Sequence, residues 1–287
     1  MNGILIINKH KGCSSHDIVY KVKKICNEKV GHTGTLDPMA TGVLPLLLGK
    51  GTLCSKYLIN HDKIYKATIQ LGIETDTLDS EGKILNEQEV NSQILERKNV
   101  ENVLKLFLGK QEQIPPMYSS IKIKGKKLYQ YAREGKEVEL EPRKIEIYNI
   151  KLLDIDKNSN QIKIEINCSK GTYIRSLCRD ISKQLETIGY MKDLERIQVG
   201  DFNIKDSIKI ADIEDDVSII EEHLITVEEI FKDKESINLD NKKLQLFLNG
   251  VKLDVKCKDD TYKIYNNSKF IGTGIVKDFV LKRDIVL

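Results

Sequence analysis

Residues 31–42 read GHTGTLDPMATG and hold one carboxylate, Asp37, with Pro38 directly behind it. Proline confines the residue before it to extended geometry. Glycine allows backbone shapes that residues with side chains resist. Together they can hold an acid in one fixed direction, which is what a reacting carboxylate needs. The same pattern also makes an Asx-type turn, in which Asp37 accepts hydrogen bonds from nearby backbone N–H groups. With three glycines, three threonines and one proline, the loop reads as shaped rather than packed.

Other loop chemistries fit less well. A phosphate-cradling P-loop needs G-x4-G-K-[ST]. In VLPLLLGKGT the first position is Leu44, and Gly51 follows Gly49 and Lys50. GTGIVK near the end lacks the third glycine of G-x-G-x-x-G. GHTG fits the G-x-x-G of a KH RNA-binding loop, but phosphates held there would repel Asp37, three residues on. Six cysteines without a CxxC pair and five histidines without HExxH argue against zinc and against a disulfide framework. The expectation is free thiols, no metal and no cofactor.

The elements that must position the loop are legible around it. GILIINK reads as a strand and CSSHDIVYKVKKI as a helix, with Ser14 capping, Asp17 three residues on, and Ile18, Val22 and Ile25 on one face. A second helix is expected from about 52 to 59. KIYKATIQLG alternates, with Tyr65, Ala67, Ile69 and Leu71 on one face, as a half-buried strand does. ETDTLDSEG is a polar turn, and residues 91–108 carry a helical pattern. Pro115 and Pro116 break structure before SSIKIKGKK, a hairpin turning at Gly125, and LYQYARE, a short helix. KIEIYNIKLLDI and QIKIEINC are strands. GTYIRSLCRDISKQLETIG is a helix with Gly189 past its end, and residues 197–204 suit another strand. The acidic connector holds helical pieces, and NKKLQLFLNG is a helix leading into short strands. The fold class is α+β: a central mixed or antiparallel sheet flanked by helices, then a small β-rich C-terminal domain. The expected boundaries are 1–232, with an insert at about 115–144, and 236–287.

Length, at 287 residues, allows a sizeable core. Apolar content of 40% and charged content of 31% fit a soluble protein. No apolar run is long enough for a transmembrane helix or a signal peptide, so the expected location is the cytoplasm. Net charge is +3, but it is unevenly spread. Residues 236–287 hold 10 Lys/Arg against 6 Asp/Glu, and residues 207–235 hold 3 against 10. Basic blocks on either side of an acidic connector suit a polyanion partner, although a lysine-rich solvated surface gives the same count.

GHTGTLDPMATGVLPLLLGKGT is very similar to the signature of the bacterial tRNA pseudouridine-55 synthase family. Further segments resemble that family in the same order: NKHKGCSS, KIYKATIQLGIETDTLDSEG, QIPPMYSSIKIKGKKLYQYAREG, GTYIRSLCRDI and LERIQVGDF. The resemblance covers roughly residues 1–204. The tail, with NGV and FIGTGIV, resembles a small RNA-binding domain of the PUA type. One departure is His10, where the family usually has proline after the lysine.

The resemblance implies isomerisation of uridine to pseudouridine at position 55, in the T-loop of tRNA, on a uridine turned out of the RNA. It implies Asp37 as the catalytic carboxylate, acting on C1′, on the base or on a ribose proton. Arg175 would pair with it; on an ordinary helix it would pair instead with Asp180 or Glu186. Tyr65 would stack on the target base, and otherwise is a core tyrosine. His32 would stack in the opened RNA loop, and Tyr173 and Ile174 would line the uracil pocket. Lys9 would contact the N-terminal loop or the RNA, and Gly31 and Thr33 complete the substrate-binding set. Residues 118–144, with 8 Lys/Arg against 4 Glu, would clamp the RNA. The implied partner is the tRNA T-arm, with the acceptor stem as a second contact. The protein would be a monomer with no obligate protein partner and no membrane contact. The alternatives are a guide-RNA-directed synthase and a non-catalytic RNA-binding or RNA-folding protein.

Overall fold

A computed structural model of the chain describes residues 1–287 except 124 and 137. The chain opens with strand β1 (Gly3–Lys9) and helix α1 (Ser15–Cys26). Ser14 and Asp17 close a capping box at the start of α1: the Asp17 amide donates to Ser14 Oγ at 3.2 Å, and the Ser14 amide donates to Asp17 Oδ2 at 2.8 Å. Two backbone donors that the helix leaves unpaired are thereby satisfied. Strand β2 (Val30–His32), the Asp37 loop and strand β3 (Thr41–Leu48) follow.

The main sheet is then built by β4 (Lys63–Leu71), β5 (Gly109–Gln113), β6 (Arg143–Asp156), β7 (Gln161–Cys168) and β8 (Gly189–Val199). Its order runs from the short Ile208–Lys209 strand through β1, β3, β8, β4, β7, β6 to β5. The neighbours from β8 to β5 are antiparallel. β3 and β8 run parallel and share only two register pairs, Glu195 with Thr41 and Arg196 with Gly42. The Asp37 loop ends at that junction. Gly42 has φ +104°, and a Cβ there would sit 2.2 Å from the Arg196 carbonyl oxygen. Only glycine lets the two backbones come this close.

Helices α2 (Arg97–Lys105) and α3 (Ile174–Gln184) cover the β4–β8 side of the sheet. Alternation in β4 turns Tyr65, Ala67, Ile69 and Leu71 into that core. Helix α1 packs with β1, β3 and Ile210, Ile213 and Ile220 of the acidic connector. A second, five-stranded sheet occupies residues 236–286 and is flanked by the Asn241–Leu248 helix. No helix among the described residues is long and apolar enough to cross a membrane.

Several boundaries differ from the sequence reading. The helical patterns at 52–59 and 91–108 each begin as a 3-10 turn before a shorter α-helix. The strand expected at 197–204 instead starts at Gly189 and spans eleven residues. Register shifts after Met191 and Arg196 break its alternation, and Lys192, Asp193, Glu195 and Arg196 hide a central strand beneath a charged surface pattern. The 122–127 hairpin pairs Lys122 with Lys127; Lys124 and Glu137 lie outside the described residues.

Candidate active site

The Asp37 loop is packed as well as shaped. Leu36 and Met39, on either side of Asp37 and Pro38, are 3% and 2% exposed and belong to the core under β4. Ser15 grips Leu36 from α1: its Oγ accepts from the Leu36 amide at 2.8 Å and donates to the Leu36 carbonyl at 3.1 Å. The Pro38 carbonyl accepts from the Gly12 amide at 2.9 Å and from Lys9 Nζ at 3.2 Å. Lys9 also donates to the Cys13 and His10 carbonyls, and its side chain is wholly buried. Of the two contacts expected for Lys9, the structure gives the N-terminal loop, and burial removes Lys9 from any surface that RNA could reach. Arg196 clamps the other side. It donates to the carbonyls of Gly34 at 3.0 Å, Thr35 at 3.4 Å and Val43 at 2.8 Å, and it is 1% exposed.

Helix α3 brings the opposing charge. Arg175 Nε lies 3.0 Å from Asp37 Oδ2, and its Nη2 lies 3.3 Å from Oδ1, so the guanidinium meets both oxygens. The other donors are engaged too: Nη1 reaches Asp79 Oδ2 at 3.4 Å and the Thr77 carbonyl at 3.0 Å, and Nη2 reaches the Tyr118 carbonyl at 2.9 Å. A planar fork held at this many points cannot swing away from the carboxylate. The ordinary helix-surface partner is taken by a neighbour, because Asp180 pairs with Arg179.

Asp37 is recessed yet reachable. A third of its side chain stays open, while the protein crowds it enough that withdrawal from water pushes its pKa above the usual aspartate value. Arg175 pulls that value down and the Asp79 charge raises it, with the balance upward. Tyr65 lies below in the same core as Leu36 and Met39. Burial raises the pKa of its phenol, against an opposing pull from Arg196. His32 and Gly31 sit on β2, paired with Leu46 and Leu47. Burial first, and then Arg196, lower the pKa of His32, which keeps the ring neutral. His32 Nδ1 and Thr33 Oγ1 are buried without a hydrogen-bond partner, so both have polar capacity to offer. Tyr173 caps α3, and Gln113 holds it by both backbone groups, donating to its carbonyl at 3.0 Å and accepting from its amide at 2.8 Å. Ile174 is 4% exposed in the core beside it.

The family model for TruB family pseudouridylate synthase, N-terminal domain, matches residues 22–174. A curated relative from Clostridium tetani, named tRNA pseudouridine synthase B, is 46% identical over 281 residues, covering 96% of this chain and 95% of the relative. The chain belongs to the TruB family. A model for the tRNA pseudouridylate synthase B C-terminal domain matches residues 175–237. A relative of the same name from Clostridium novyi is 43% identical and aligns over the full length of both chains. Among solved structures, an H/ACA RNP bound to a substrate RNA containing 2′-deoxyuridine superposes with TM-score 0.70 at 21% identity, covering 99% of this chain and 85% of that one. That likeness shows the pseudouridine-synthase fold.

Two residues of this TruB-family site escaped the sequence reading. Asp79 is 4% exposed and anchors the far edge of Arg175. It is itself held by the Thr77 hydroxyl and the Glu81 amide. In the sequence it is one acid in a polar turn. Arg196 lies in LERIQVG, where neighbouring charges make it look solvated. The one available signal was Gly42, a glycine that only a close backbone neighbour requires.

Proposed function

We propose that this chain isomerises uridine to pseudouridine in tRNA, at the T-loop uridine of position 55. The observation that carries the reading is the two-oxygen contact between Arg175 and a recessed, accessible Asp37. In the reaction the C1′–N1 bond breaks, the uracil turns over, C5 bonds to C1′, and the hydrogen on C5 moves to solvent while N1 gains one. Atoms and electrons balance without an external oxidant or energy source. Asp37 supplies the reacting carboxylate and Arg175 keeps it ionised and aimed. Tyr65 offers its ring to the uracil, where base stacking is worth about 1–3 kcal/mol. The target must leave its stack to be reached, and His32, neutral and beside the loop, fills the space behind it. Tyr173 and Ile174 line the base pocket, with Gly31 and Thr33 along its rim. The cationic 118–144 segment and the 236–287 sheet hold the T-arm and acceptor stem through phosphates. The protein acts as a monomer, without a guide RNA or protein partner.

Purified protein incubated with an unmodified tRNA transcript, followed by position-by-position mapping of pseudouridine, tests the reading. Conversion of the T-loop uridine with no added cofactor is expected. Conversion only after adding a guide RNA, or tight binding with no conversion, contradicts it.

The ionisation of Asp37 also sets a pH dependence. The reactive form is the anion, and its raised pKa puts the acid limb of kcat/KM above about pH 4, the ordinary aspartate value. Asp79→Asn removes a nearby negative charge that favours the protonated form. The limb therefore moves to lower pH, and an unmoved or upward-shifted limb in the rate profile contradicts this electrostatic account.

A further inference from the structure

The root of the 115–144 segment is fastened to the first turn of α3. Gln113 ends β5, is 4% exposed, and stands just before the Pro115–Pro116 pair that opens the segment. Its side-chain amide clasps Tyr173 by both backbone groups: Nε2 donates to the Tyr173 carbonyl at 3.0 Å, and Oε1 accepts from the Tyr173 amide at 2.8 Å. One residue on, the Ile114 carbonyl accepts from Ser176 Oγ at 2.8 Å, and Ser176 is wholly buried. A further tie lies beyond the prolines, where the Tyr118 carbonyl accepts from Arg175 Nη2 at 2.9 Å. The next carbonyl, of Ser119, accepts from the Tyr129 amide at 3.1 Å, which joins this point to the Leu128–Arg133 helix.

Tyr173 stands at the N-cap of α3, where a short side-chain oxygen usually caps a helix. Tyrosine has no oxygen in reach of those amides, so the turn that presents Arg175 depends on support from elsewhere. A side-chain amide offers a donor and an acceptor side by side, which is what the two Tyr173 backbone groups require. Ser176 and Arg175 fix the same turn from other directions. The guanidinium is therefore aimed at Asp37 by the root of the 115–144 segment as well as by its own helix. Loss of the Gln113 clasp frees Tyr173, loosens the first turn of α3 and lets the fork drift from the two carboxylate oxygens.

We propose that Gln113 is a positioning residue for the reaction: it locks the root of the 115–144 segment to the first turn of α3, so that Arg175 meets both oxygens of Asp37. This rests on the tRNA reading above. Steady-state kinetics on an unmodified tRNA transcript test it with two variants. Gln113→Ala lowers kcat roughly tenfold, while KM and filter-binding affinity stay within about threefold of normal. Gln113→Glu keeps the shape. Its ionised form accepts from the Tyr173 amide but repels the Tyr173 carbonyl; its protonated form accepts and donates as glutamine does. Burial and the neighbouring Glu112 favour the protonated form, whereas Arg143 and Lys144 on β6 and Arg175 on α3 favour the ionised one. The kcat of Gln113→Glu, taken relative to the unaltered protein, therefore climbs at least about threefold as pH falls from about 8 to about 5.5, and that of Gln113→Ala stays flat. A general weakening of the fold would lower rate and affinity together and leave both ratios flat. Full kcat in Gln113→Ala, or a Gln113→Glu ratio that does not rise at low pH, overturns the inference. Should Gln113→Ala fail to fold, the Gln113→Glu profile decides alone. No conversion by the unaltered protein overturns the tRNA reading itself, and the inference with it.

Discussion

Asp37→Asn abolishes conversion, with single-turnover rates on unmodified tRNA falling by at least about 10,000-fold. Asparagine keeps the size and two polar atoms, but it has neither the charge nor the nucleophilicity of a carboxylate. The loop should survive the change. Leu36, Met39, Ser15, Lys9 and Arg196 hold it through packing and backbone carbonyls, none of which involves the Asp37 side chain. Stability has a definite sign. Because the folded state raises the pKa of Asp37, the folded protein binds more protons between the unfolded and folded values. The contribution of this group is fully present below the unfolded value and is lost as pH rises through the folded one. At neutral pH the ionised carboxylate is therefore a burden on the fold, and Asp37→Asn melts at the same temperature as the unaltered protein or higher. A thermal melt run beside the rate assay separates a chemical defect from a folding one. Retained turnover, or a large fall in melting temperature, contradicts the assignment.

Arg175→Lys is the second large effect, with a loss of roughly 100-fold or more in kcat and tRNA affinity within a few-fold of normal. Lysine preserves the charge but not the fork. Arg175 meets two oxygens of Asp37, one of Asp79 and the carbonyls of Thr77 and Tyr118. One ammonium cannot span these positions, so Asp37 loses its fixed direction and the Tyr118 carbonyl loses its donor. Chemistry suffers first under the proposed reaction because a reacting carboxylate must be aimed along one line, whereas binding to RNA is spread over many cationic side chains. Rates under saturating tRNA, set against filter-binding affinities, give the split. Equal activity removes the ion pair from the mechanism.

Much of this site was readable because local chemistry wrote it into the sequence. Ser14 and Asp17 marked the start of α1, the alternation around Tyr65 marked β4, and the glycine-proline pattern marked Asp37 as held. Arg175 stood out only inside its motif, since a helix arginine with acids nearby has many ordinary uses. What stayed hidden depends on contacts between distant segments. Asp79 lies near Arg175 because the 74–82 turn docks on β8 at Met191, which no local pattern states. Arg196 is buried because β8 runs through the middle of the sheet, and its charged neighbours disguised that strand as surface. Leu36 and Met39 looked incidental in a glycine loop, yet they are the plugs that seat it. Lys9 was open to the N-terminal loop or the RNA, and it donates to three backbone carbonyls, two of them in the N-terminal loop.

The most direct test is a crystal structure of the protein with a T-arm RNA. The account expects the T-loop uridine turned out of its stack, its C1′ within about 3–3.5 Å of an Asp37 oxygen, and its uracil against Tyr65. A bound RNA whose uridine stays stacked, with Asp37 facing only solvent, contradicts it.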